Sequence, residues 1–179
     1  LLPPDKDVEV MLWTGDALPP PEGVRMAYEL GVANLNGGNT RPTERFPSLV
    51  GVSPHVRPTA GGLQVYAPVM NENVYTNTWE GPYYGFRQVI ETFEITGAPR
   101  RLKPITIYYH FYSGEKPAAL DALVEVYEWA VARETVPMWI SEFTERARGF
   151  HDATLARDLS GDWHVRGLRG LRTLPLPEA

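Results

Sequence analysis

The chain has 179 residues, a formal net charge of −5, 43% hydrophobic and 22% charged residues, which suits one globular domain with room for the start of a second. Its lysines and arginines form no basic stripe, although Arg166, Arg169 and Arg172 cluster near the end, and nucleic-acid binding calls for a stronger footprint. Cysteine is absent, which removes disulfides, thiolate metal sites and a cysteine nucleophile. No apolar run reaches the length of a membrane span. The chain opens Leu1-Leu2-Pro3-Pro4, without methionine or a signal peptide, as expected of a piece of a longer protein, so its start says nothing about export.

In chain order, Val8, Val10 and Leu12 alternate with Glu9, Met11 and Trp13, which predicts a strand ending near Trp13. A helix is expected over Glu22 to Leu30, stopped by Gly31, then a short buried strand over Val32 to Leu35. An irregular stretch precedes a strand at Leu63 to Ala67, and Asn71 to Gly85 reads as a polar, aromatic loop. Loops of that length inside compact domains are more often functional than accidental. A helix follows over Phe86 to Glu94, closed by Gly97 and Pro99. Ile105 to Tyr109 has the clearest strand pattern and Pro117 to Arg133 the clearest helix pattern. Apolar Leu120, Leu123, Val124, Tyr127 and Val131 follow helical spacing there, with Asp121, Glu125 and Glu128 opposite. Val136 to Ile140 reads as another buried strand.

The order β-α-β-β-α-β-α-β favours an α/β layout with a largely parallel sheet of about five strands. A closed barrel of this kind needs eight strands and about 250 residues, so an incomplete barrel or an open sheet is expected. Residues 1–149 form this unit. Residues 150–179 read as a β-rich tail or the start of a following β domain, with short strands at Ala153 to Ala156, Trp163 to Arg166 and Leu171 to Leu176. Turns are expected at Ser160-Gly161-Asp162 and Gly167 to Gly170.

Chemistry concentrates where strands end. In Ile105 to His110, alternation puts Ile105, Ile107 and Tyr109 on one face and Thr106, Tyr108 and His110 on the other. His110 then falls at the carboxyl end, where active sites of parallel α/β folds lie. A histidine there can move a proton near neutral pH; a structural histidine bonded to a backbone carbonyl is the alternative. The stretch Asn34 to Arg41 also follows a strand. Its glycines permit close backbone approach, and Asn36, Asn39 and Arg41 can bind hydroxyls or orient a carboxylate. An ordinary Asn-Gly-Gly turn explains it equally well. Asp16, in Trp13-Thr14-Gly15-Asp16, falls on the same rim, or merely caps a turn. Glu72, Asn73, Tyr75 and Tyr84 lie in loops whose amides and rings suit a sugar site or a self-packed loop. The four histidines, His55, His110, His151 and His164, lack the spacing of a metal-ligand pair, and no serine sits in a nucleophile elbow.

Several of these segments, in this order, resemble the PelA-like family of Pel exopolysaccharide biosynthesis: Trp13 to Asp16, Asn34 to Asn39, Gly62 to Pro68, Asn71 to Asn77, Gly81 to Phe86, Arg100 to Pro104 and Tyr108 to Gly114. The resemblance covers nearly the whole chain. It implies the later part of a deformed, here incomplete, (β/α) barrel of the polysaccharide deacetylase type, which removes N-acetyl groups from an amino-sugar polymer. It further implies a divalent metal, expected to be zinc, held by Asp and two His residues, with His110 as the acid that protonates the leaving amine. Trp13 to Asp16 and Asn34 to Asn39 resemble groove-wall motifs. The Asp-rich and His-x-x-x-His metal motifs are absent here and are expected upstream of residue 1, so no cofactor site is evident and the chain is expected to be inactive alone. The resemblance also implies a periplasmic or extracellular location and other exopolysaccharide biosynthesis proteins as partners. A carbohydrate-binding module without catalysis, and a structural or interaction module, stand as alternatives. Unpaired strand edges predict a dimer.

Overall fold

The computed structural model describes residues 7–13, 18–36, 40, 42–66, 84–101, 103–109 and 111–173, with the backbone alone at 84, 85, 112 and 113. Among them lie strands β1 (Val10–Leu12), β2 (Ala33–Asn36), β3 (Val56–Thr59) and β4 (Gly62–Tyr66). They form one four-stranded sheet in the order β1-β2-β4-β3. β1, β2 and β4 are parallel, with Leu12 beside Leu35 and Leu35 beside Val65, while β3 is antiparallel to β4. The described residues thus make a mixed α/β fold with no closed barrel.

Helix α1 (Pro21–Glu29) links β1 to β2. Pro21 suits the first turn, where its missing N–H costs nothing, and Gly31 ends the helix at φ 71°. Strand alternation sends Leu35 and Val65 to one face of the sheet, where they pack with Val10, Val56 and with Phe143 and Ala147 of α5 (Ile140–Asp152). The opposite face carries buried Asn34, Asn36 and Gln64. There α1 delivers Tyr28, whose hydroxyl donates to the Leu63 carbonyl at 2.6 Å.

A second core joins α2 (Tyr84–Arg87), α3 (Val89–Ile95) and α4 (Pro117–Val131). Phe86, Val89 and Phe93 pack on Ala122, Leu123 and Val126, with Ile90, Ile105, Ile107 and Trp129 at the margin. Each fully buried side chain of this size contributes about 1.5–3 kcal/mol. The margin is fastened by Glu94, whose carboxylate accepts from Trp129 Nε1 at 3.3 Å and from Arg133 at 3.4 Å.

Three expectations need correction. Ile105 to Tyr109 is not a strand and pairs with none among the described residues. Its alternation nevertheless works as read, because Ile105 and Ile107 both meet the helical core. A strand pattern reports which side is apolar, whereas a ladder needs a neighbour that local sequence does not specify. Val136 to Ile140 is not a buried strand either. It is an exposed connector that turns into α5 at Ile140. The inward face of α4 is also rotated from the expected one. Ala119, Ala122, Leu123 and Val126 are buried, while Leu120, Val124, Tyr127 and Val131 are exposed.

Two elements went unread in the sequence. β3 hides in the irregular stretch and carries Pro58. The Tyr66 N–H bonds the His55 carbonyl, so by antiparallel alternation Pro58, like Val56, faces the edge that pairs with no strand among the described residues, where Pro58 needs no donor. α5 is the other. Glu142 Oε2 accepts the Trp139 N–H at 3.2 Å, one half of a capping box, since an indole offers no acceptor in return.

At the C-terminal side, β5 (Thr154–Arg157) and β6 (Trp163–Arg166) form a separate antiparallel hairpin. Both expected turns are present, at 159–161 and 169–170, while 171–173 carry no strand and 174–176 lie outside the described residues. Asp152 at the end of α5 pairs with Arg169 Nε at 2.6 Å. Gly149 and Gly167 let the backbones touch beside it, since a Cβ at either would overlap the carbonyl of Leu168 or Asp152.

Candidate functional site

Parallel strands β1, β2 and β4 end at one rim, and Trp13, Asn36 and Tyr66 stand at those ends. Trp13 continues the ladder, its N–H bonding the Leu35 carbonyl at 2.7 Å. Its indole Nε1 donates to Asn34 Oδ1 at 3.3 Å, and Asn34 Nδ2 donates to the Leu63 carbonyl at 3.0 Å. One position along, Gln64 Nε2 donates to Asn36 Oδ1 at 2.8 Å inside the fold. Three buried amides therefore lie beneath the rim, Asn36 and Gln64 bonded to each other and Asn34 bonded to the Trp13 indole and the Leu63 carbonyl. Burying amides is tolerable only with such partners, and such bonds hold the amides rigid. Tyr28, on the same side, has its pKa raised, chiefly by burial.

Buried Thr40 accepts the Ser53 N–H at 2.9 Å, and Pro42 O accepts from Thr92 Oγ1 at 2.9 Å. Lys103, itself buried, donates from Nζ to the Pro54 carbonyl at 3.1 Å. Burial without a carboxylate lowers its pKa to about 8.

Of the residues singled out from sequence, the structure brings Trp13 and Asn36 to the rim, with the Asn36 side chain turned inward to Gln64. Tyr84 begins α2. His110, Asp16, Asn39, Arg41, Glu72, Asn73 and Tyr75 lie outside the described residues. Sequence reasoning missed Gln64, Tyr28 and Lys103. A lone glutamine inside the apolar run Leu63 to Tyr66 was the available signal for the first.

A cleft of about 650 Å³ opens on the other side of the sheet. It lies between 104–107, the end of α4, 134–139 and the start of α5, and Leu35, Ile107, Val136, Met138 and Phe143 line it. Its lining is mostly apolar, with Arg101 and Glu134 as its charged members. The rim is the stronger candidate because it lies at the carboxyl ends of the parallel strands, where parallel α/β folds place their sites.

No three His, Cys, Asp or Glu side chains converge among the described residues in a way that could hold a metal ion. His55 packs between Phe143 and Phe150, with ring centroids 6.4 and 5.8 Å away. His151 contacts Asp152, and His164 Nε2 lies 2.8 Å from Asp158 Oδ2. That contact, with the Ser160 hydroxyl, holds the Asp158 carboxyl well below the usual carboxylate range. No described helix is long and apolar enough to cross a membrane.

No family model, no curated protein and no solved structure matches the chain.

Proposed function

We propose that this chain is the later part of a carbohydrate de-N-acetylase domain of the PelA-like type, acting on an amino-sugar exopolysaccharide in the periplasm or outside the cell. The observation that carries the reading is the rim itself: Trp13 and Asn36 at the carboxyl ends of parallel strands, with the amides of Asn34, Asn36 and Gln64 bonded and buried beneath. Indole faces stack on pyranose rings, and a fixed indole loses little freedom on binding. His110, which follows Tyr109 in sequence, is assigned the proton that the leaving amine takes up. The described residues do not fit the metal that such chemistry uses, so no step is assigned to it, and its ligands are expected from residues upstream.

A second reading, carbohydrate binding without catalysis by this chain, is favoured by the absence of any carboxylate or imidazole among the described rim residues Trp13, Asn34, Asn36, Gln64 and Tyr66. One experiment separates the two. Amino-sugar oligomers are incubated with zinc or cobalt and either this chain or a form extended upstream, and released acetate is measured. Acetate from the longer form alone, abolished by His110→Ala there, supports the deacetylase. No acetate from either form, with oligomers still bound and binding weakened at least tenfold by Trp13→Ala but retained in Trp13→Phe, supports the binding reading. Neither acetate nor binding overturns both.

A further inference from the structure

Met11 stands beside Asn34 in the parallel register of β1 and β2, so by alternation Trp13 shares a face of the sheet with Asn34. Trp13 is only half-buried, whereas Asn34 is fully enclosed. The Trp13 indole is tied to it, Nε1 donating to Asn34 Oδ1 at 3.3 Å. Which way the Asn34 amide points follows from its partners. A carbonyl can only accept and an indole N–H can only donate. Nδ2 therefore turns to Leu63 at 3.0 Å, and Oδ1 is left for Trp13. The Leu63 carbonyl also accepts the Tyr28 hydroxyl at 2.6 Å, which uses both its lone pairs. The Tyr28 ring is covered in turn by the Arg148 guanidinium of α5, 4.9 Å from the ring centre. Bonds thus run from α1 through β4 and β2 to an indole at the rim.

We propose that Asn34 is a positioning residue, which holds the Trp13 indole in one orientation at the rim so that the ring is set to stack on a sugar. This role rests on the carbohydrate reading of the rim and adds to it a residue too deeply buried to meet the sugar itself. A tryptophan side chain has two rotatable bonds, and ordering a side chain on binding weakens affinity. Tied at Nε1, the indole has lost that freedom before a sugar arrives. An asparagine suits the task because it offers a donor to Leu63 and an acceptor to Trp13 at once. A carboxylate in its place sets an oxygen against the Leu63 carbonyl, and an apolar side chain offers the indole nothing. Asn34→Leu removes both bonds at similar size. The Leu63 carbonyl keeps the Tyr28 hydroxyl, and the released indole belongs to a residue partly open to water, so neither group is left costly and unpaired.

The chain carries five tryptophans, whose indole N–H groups are read by proton–nitrogen NMR; the Trp13 resonance is the one lost in Trp13→Phe. It is expected to shift in Asn34→Leu and to exchange with water several-fold faster than in the parent, with the circular dichroism spectrum unchanged. Asn34→Ala replaces Asn34→Leu if that spectrum changes. Binding of an amino-sugar oligomer is then compared in the parent, Asn34→Leu, Trp13→Phe and the double variant. Each single variant is expected to bind about threefold to fivefold more weakly, short of the loss in Trp13→Ala. The double variant is expected to bind no worse than Trp13→Phe, because a phenyl ring has no N–H for Asn34 to hold. An unchanged Trp13 resonance overturns the inference, as does unchanged binding in Asn34→Leu. So does an equal further loss on the Trp13→Phe background, which assigns Asn34 to the general stability of the sheet. The carbohydrate reading survives all three results. A parent chain that binds no oligomer, with the Trp13 resonance responding as expected, overturns that reading and this role in it together.

Discussion

Lys103 is the residue that most strains the usual rules of burial. Its ammonium sits inside the fold with the Pro54 carbonyl as acceptor, and its pKa falls from 10.5 to about 8. Between those two values the unfolded chain holds a proton that the folded chain has released, so stability rises with pH through that window. Below about pH 8 the full penalty of the buried charge is present. The shift corresponds to a gain on the order of 3 kcal/mol across the window. Tyr28, whose pKa is raised, acts in the opposite sense near the alkaline end, so the informative quantity is a difference. Urea midpoints at about pH 7 and about pH 10 are expected to show that Lys103→Met removes most of the rise seen in the parent chain. A parent and variant with parallel pH profiles would mean that the amine is solvated after all.

At the scale of elements, periodicity was informative where one side of an element is polar and silent where it is not. α1 and the strands β1, β2 and β4 lie within a residue or two of their expected places, because glycine or proline marks their ends. Helix α4 was legible as a helix but not in its rotation. Alanines, leucine, valines, tyrosine and tryptophan surround it, so more than one stripe satisfies a 3.6-residue repeat. Packing against Phe86 and Phe93 made the choice. Val126 is 0% and Val124 45% exposed, and thermal or urea unfolding can read the difference. Val126→Ala is expected to cost about 2 kcal/mol and Val124→Ala less than about 0.5 kcal/mol. α5 was readable in principle, since Ile140, Phe143, Thr144 and Ala147 repeat at helical spacing. The apolar run Val136 to Ile140 obscured it by suggesting a strand. The site divides in the same way. Trp13 and Asn36 were visible because they follow strands, whereas Gln64 and Lys103 matter through partners 28 and 49 residues away in sequence, which no local pattern encodes.

For the whole molecule, the hairpin of β5 and β6 depends on its attachment. An isolated two-stranded ribbon is at best marginal in water, and most of its residues are exposed. Asp152 is what fastens it, through Arg169, and its pKa is lowered by its bonds with His151 and Arg169. The stabilisation is therefore complete above the ordinary 3.8 of an aspartate and fades as pH falls below it. Limited proteolysis near neutral pH is expected to cleave residues 154–173 several-fold faster in Asp152→Asn than in the parent, with little change in the melting of the rest. Equal cleavage rates would place the attachment in the glycine contacts alone.

Pro58 has a consequence beyond its own strand. A sheet that can be extended at both sides grows without limit, as fibres do. One imino acid on the outermost strand thus makes that side of the sheet a poorer template for a further strand.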